Sequence, residues 1–210
     1  MSGNHEHHES SSSRSALLIS SRKDPDCTTS ERSRPSATAD SPQRLTSVRP
    51  VIHFYNKNEP HYGFTNFSPH PVKYDEKQYP TSEHLFQSFK FQGRWPGLAE
   101  HIRTCSDLPS VAFSEARRFQ PQVRSDWIDV NIAKMEETLR HKFTQHSALK
   151  EELIATGDAE LVENSAEDSF WGIGADRKGR NELGKALERL RAQFREAQPR
   201  ILVEADPMME

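Results

Sequence analysis

Cysteine is nearly absent. Cys27 and Cys105 are the only two in 210 residues, too few for a disulfide framework. Cys27 also lies in a stretch with no other sign of a core, which argues against a bridge and fits a reducing, intracellular compartment. Neither sign of charge dominates: 28 Lys and Arg stand against 31 Asp and Glu, a net charge of −3. Nothing global therefore points to a nucleic acid or an acidic partner. No apolar run approaches the ~20 residues of a membrane span. The run "SALLIS" is too short for the apolar part of a signal peptide, and acidic residues interrupt the Ser/Arg-rich start that a transit peptide would need. These absences predict a cytoplasmic protein, with a nuclear location also compatible and no membrane contact.

Aromatic residues are missing from the first fifty positions. The 3 Trp, 4 Tyr and 11 Phe all lie between Phe54 and Phe194. A Ser/Arg-rich segment without aromatics cannot offset its ordering entropy by burial. The chain therefore divides into a disordered tail at 1–50, a folded domain at 51–198 and a flexible tail at 199–210, which carries Pro199 and Pro207. About 145 residues suffice for one core.

Within the domain, "VIHFYN" reads as a strand, and "PVKYDEKQYP" as a hairpin turning at Asp75 and Glu76. "TSEHLFQSFKFQG" reads as a helix that Thr81 or Ser82 caps and Gly93 ends. Ile128, Ile132, Met135, Leu139 and Phe143 recur at helical spacing, predicting the longest helix from Trp127 with Asp126 as N-cap. A short helix follows over 147–156, ended by Gly157. A last helix begins near Asn181 with Leu183, Leu187, Leu190 and Phe194 as its stripe. The sum is an α+β fold: a mainly helical single domain with a few short strands.

Three stretches carry candidate chemistry. Glu83, Gln87 and Lys90 share one polar face of the first helix; the same pattern also describes an ordinary solvated face with an acid in its first turn. "RSDW" precedes the longest helix, where Trp127 either packs or stacks on a planar base, and Arg124 stands beside it as a binding candidate. "EDSFWGIGADRKGRN" places Asp168 and Trp171 before Gly172, Gly174 and Gly179, with Arg177 and Lys178 between the glycines and Asn181 at the helix start. A glycine-rich approach to a helix N-terminus suits a phosphate, and it equally describes a plain turn. No Walker loop, no G-x-S-x-G and no repeated metal-ligand spacing occurs, and Glu137 and His141 alone do not make a metal site. No metal and no cofactor is called for.

"FYNKNEPHYGFTNFSPHPV", "YPTSEHLFQSFKF", "VRSDWIDVNIAKMEETLRHKF", "LIATGDAELVENS" and "DSFWGIGADRKGRNELGKALERLR", in this order, resemble the YbiA-like family, also called the NADAR family. The resemblance implies a hydrolase, an N-glycosidase cleaving the bond between a ribose carbon and a base-like nitrogen. The implied substrates are phosphorylated N-ribosides of riboflavin synthesis or an ADP-ribosylated base, with nucleic acid involved only as a modified substrate. The family's catalytic Glu, Trp and Asp match Glu83, Trp127 and Asp168. Gln87, Lys90, Arg124, Trp171, Gly172, Gly174, Arg177, Lys178, Gly179 and Asn181 form the expected substrate-binding set. Two departures stand out: "RRFQPQV" replaces a Gly-Arg segment, and Phe170 stands where many members carry Tyr. The rival class is a non-catalytic module that binds ADP-ribose or a nucleotide; it would need the glycine stretch and Trp127 but not two carboxylates.

Overall fold

The computed structural model describes residues 49–197. The expected tails, 1–50 and 199–210, fall outside it except for Arg49 and Pro50. The described chain opens with strand β1 (Val51–Phe54) and a hairpin of β2 (Val72–Tyr74) and β3 (Lys77–Tyr79). Helices α1 (Ser82–Ser88), α2 (Pro96–Thr104), α3 (Pro109–Arg118), α4 (Trp127–Gln145) and α5 (Ser147–Ala155) follow. Strand β4 (Glu160–Glu163) and helix α6 (Glu182–Glu196) complete it. The α+β architecture is the one expected.

Helix α4 occupies the centre, packed against α1, α5, α6 and β2. Its Met135, Leu139 and Phe143 are buried among Phe54, Phe64, Leu85, Phe89, Leu153 and Leu187. The expected stripe breaks at its first member: Ile128 is 71% exposed, because in the first turn of α4 Trp127 takes the core-facing place and Ile128 lies on the rim of the cavity. Two expected caps also differ. Asp126 occupies the N-cap position in a non-extended conformation, and its carboxylate turns to Arg124 rather than to the helix amides. Thr81 precedes α1 with its hydroxyl against His84 Nδ1 at 2.9 Å, and makes no cap hydrogen bond.

Helices α2 and α3 escape a reading by periodicity because alanines line their buried faces. Ala99, Ala112 and Ala116 pack with Ile102 and Phe91 in a second, smaller core. Each helix starts with Pro at its first position, where the missing N–H costs nothing. Strand β4 is equally hard to see. It is four residues long, bounded by Glu160 and Glu163, and pairs in parallel with β1 at the other end of the described chain, Val51 opposite Glu160 and Phe54 opposite Glu163. Such a pairing leaves no local signature.

Candidate active site

Helix α1 is buried along its whole length. Its polar face is no solvated surface: Glu83 is 5% exposed, Gln87 3% and the following Lys90 7%. Polar groups hidden to this degree need partners, and here they line a cavity of about 570 Å³. Gln87 Nε2 donates to Glu83 Oε1 at 2.7 Å. Gln87 Oε1 has no hydrogen-bond partner, and neither do Asn66 Oδ1 and Asn131 Oδ1, which belong to the same wall. Three acceptor oxygens are thus available to a polar ligand.

Lys90 sits with its ammonium 5.5 Å from the centre of the Trp127 ring. Burial, the main cause, lowers its pKa to about 8; the Glu83 charge opposes the shift and the Arg117 charge adds to it. Trp127 is buried at the start of α4 and packs on Phe86, ring centres 5.2 Å apart. Phe86 also meets Trp171 edge to face at 5.4 Å. These three rings form a continuous aromatic wall, the usual arrangement for a planar ligand.

Asp168 lines the same cavity. Its Oδ1 accepts from the backbone N–H groups of Phe170 at 2.8 Å and Trp171 at 2.7 Å. This turn clamps the carboxylate and sets Trp171 at once. Glu83, Trp127, Asp168, Gln87, Lys90 and Trp171, drawn from three distant stretches of sequence, therefore converge on one space.

The remaining expected binding residues do not line it. Gly179 packs on backbone, and a Cβ there would lie 2.5 Å from the Gly172 carbonyl oxygen. The N–H groups of Gly179, Arg180, Asn181, Glu182 and Leu183 are all given to carbonyls of residues 169–173. The phosphate site foreseen at the start of α6 is thus closed, because its donors are spent within the loop. Gly172 and Gly174 lie buried inside this hairpin-like loop, while Arg177 and Lys178 are exposed outside the cavity. Asn181 is a brace instead: its side chain donates to Leu161 O at 2.8 Å and accepts from Glu163 N at 3.0 Å. Arg124 grips Asp126 through two hydrogen bonds and likewise stays out of the cavity.

Sequence reasoning missed four lining residues with chemistry. Asn66 belongs to a loop whose carbonyl accepts the Glu83 N–H at 3.2 Å. Asn131 faces the cavity one turn beyond Trp127. Glu163, 5% exposed, adds a third carboxylate from the end of β4. Arg117 comes from α3, the helix that periodicity did not reveal. For Glu163 a signal existed, an acid closing a short apolar run; nothing local marks the others.

The loop bearing Asn66 rests on a buried cation. Lys142 Nζ donates to Gly63 O at 2.5 Å, Thr65 O at 2.8 Å and Ser68 Oγ at 2.7 Å. Burial pushes this ammonium down to about 7.

The described residues include no helix long and apolar enough to cross a membrane. Comparison with known proteins gives a consistent picture. The chain is 41% identical over 144 residues to N-glycosidase YbiA of Escherichia coli (strain K12), covering 69% of this chain and 88% of that one. It is 38% identical to N-glycosidase Npun_R5314 of Nostoc punctiforme, over 69% of this chain and 93% of the relative. Riboflavin biosynthesis protein VVA0006 of Vibrio vulnificus is 39% identical over 161 residues, but the chain spans only 43% of its length. The NMR structure of E. coli YbiA superposes with a TM-score of 0.65 at 38% identity, covering 73% of this chain and 91% of that one. The model of the NADAR domain matches residues 53–195, and the chain belongs to the NADAR domain family.

Proposed function

We propose that the protein hydrolyses the bond between the anomeric carbon of a phosphorylated ribose and a base-like nitrogen. At the level of reaction class the chain is a hydrolase acting on N-glycosyl compounds, as its relatives at about 40% identity are named. The finer reading rests on one observation: a 5%-exposed carboxylate, Glu83, opens onto an aromatic-walled cavity that a second carboxylate, Asp168, also lines.

Cleavage of such a bond builds positive charge on the sugar and negative charge on the departing nitrogen. Glu83 stands at the N-terminal turn of α1, where the helix dipole favours an ionised carboxylate. It faces the developing cation. Asp168, held by two amides, orients the water or the leaving nitrogen. The water oxygen bonds to the anomeric carbon as the carbon–nitrogen bond breaks, and the water's proton ends on the released base. Trp127 and Trp171 flank the base, and the open acceptors of Gln87, Asn66 and Asn131 receive ribose hydroxyls or base N–H groups. The substrates in view are small phosphorylated N-ribosides, such as pyrimidine intermediates of riboflavin synthesis, or an ADP-ribosylated guanine.

The test is base release by chromatography from such ribosides. Glu83→Gln preserves size and removes the charge. Turnover should fall about a hundredfold or more, the scale of losing one electrostatic stabiliser, while ligand binding persists. Equal release by wild type and variant removes Glu83 from the mechanism. Binding without any release by the wild type supports the non-catalytic module instead.

A further inference from the structure

The amides of 179–183 at the start of α6 are already paired within the glycine-rich loop, so that helix start does not offer them to the anionic end of the substrate. Two cations border the cavity: Lys90 inside it and Arg117 at its mouth. Among the described residues neither lies within 4 Å of a carboxylate oxygen. Arg118, next in sequence, pairs with Glu115; Arg124 pairs with Asp126 and Arg180 with Glu182. Among the described residues Arg117 has no acid within ion-pair distance, and its recorded contact is the Phe113 ring at 5.9 Å. Lys90 Nζ likewise makes no ion pair or hydrogen bond within those distances, and lies 5.5 Å from the Trp127 ring centre. A buried ammonium without an oxygen partner is costly unless a ligand supplies one.

The two cations differ in depth. Lys90 and Glu83 are buried, whereas Arg117, which lines the same cavity, is exposed. A guanidinium therefore stands at the open edge of a cavity whose interior wall carries the carboxylate and the ammonium. A ribose 5-phosphate has its anomeric carbon at one end and its dianion at the other. With the anomeric carbon at Glu83, the phosphate falls at the arginine.

We propose that Arg117 is the phosphate-recognising, specificity-determining residue of this site, holding the 5′-phosphate or diphosphate of the ribose at the cavity mouth next to Lys90. This deepens the glycosidase reading and depends on it for the identity of the ligand. A guanidinium suits the task because its planar fork meets phosphate oxygens two at a time. Arg117 stands in the last turn of helix α3, which packs against α1, the helix that carries Glu83.

The test reads binding apart from turnover. Ribose 5-phosphate, ADP-ribose and plain ribose are titrated against the full chain carrying Trp95→Phe, which leaves the fluorescence of Trp127 and Trp171 as the signal. Wild type should bind both phosphorylated probes and prefer them to ribose. Arg117→Ala should weaken both phosphorylated probes about tenfold, the usual scale of one hydrogen bond to a charged group, and leave ribose unchanged. Arg117→Lys should recover part of the loss. The double variant Arg177→Ala with Lys178→Ala, in the exposed loop, should bind as wild type. A larger loss for ADP-ribose than for ribose 5-phosphate identifies the diphosphate as the natural anion, and the reverse identifies the monophosphate. Unchanged affinity in Arg117→Ala, an equal loss for ribose, or an equivalent loss in the loop variant overturns the assignment. Failure of the glycosidase reading shows separately, as absence of base release with phosphate-dependent binding intact.

Discussion

Lys90 carries the clearest consequence at the scale of a single side chain. Its pKa of about 8, against an ordinary 10.5, means that half of the ammonium charge is gone by mildly alkaline pH. Affinity for ribose 5-phosphate, whose own charge is settled above pH 7, should therefore fall as pH rises through about 8, and Lys90→Met should flatten that profile. The effect on stability has the opposite sign. Between about 8 and 10.5 the unfolded chain holds a proton on Lys90 that the folded chain has released, so stability from this residue rises with pH across that window and is lowest below it. Urea unfolding at pH 7 and 9.5, wild type against Lys90→Met, measures the difference. Trp127 offers a second test. Trp127→Phe should keep the packing against Phe86 and most of the binding. Trp127→Ala opens a cavity in the core and should cost about 3–5 kcal/mol of stability, read as a lowered melting temperature.

Elements differ in how far the sequence announces them. Helices α4, α5 and α6 carry leucine, methionine and phenylalanine at helical spacing and were legible, as were β1 and the hairpin. Helices α2 and α3 bury alanine, which leaves no contrast between faces, and β4 exists only through β1. The site follows the same division. Glu83 and Trp127 stand in the first turns of helices and Asp168 just before the glycine-rich stretch, and all three line one cavity. Arg117, Asn66 and Glu163 reach the cavity through unannounced elements. The glycine loop was open between a phosphate site and a plain turn for a physical reason: sequence shows that a backbone can come close to something, but not that the something is the loop's own carbonyls. At this scale the loop bearing Asn66 depends on Lys142. Lys142→Met strands the Gly63 and Thr65 carbonyls and the Ser68 hydroxyl in the interior, at about 1–3 kcal/mol for each unsatisfied group. A fall in melting temperature together with weaker ligand binding is expected, and an unaltered melting curve would remove Lys142 as the strut. Gly184→Ala should be worse, since a Cβ there collides with the Leu161 carbonyl oxygen and pushes α6 off β4.

For the whole molecule, everything that lines the cavity lies within residues 65–183, and the family match runs from 53 to 195. A chain trimmed to 49–197 retains every buried contact described above, so its melting temperature and base release should equal those of the full-length protein. The cavity is assembled from α1, α3, α4, the end of β4, residues 65–67 and the loop leading into α6. The loop itself is settled before any ligand arrives, because amides 179–183 already have their carbonyl partners. Those five amides should exchange slowly with deuterium in the free protein, and at nearly the same rate when ribose 5-phosphate is bound. Binding to a wall that needs no ordering leaves the entropy of that segment untouched, so the change in exchange on binding should appear instead around Arg117.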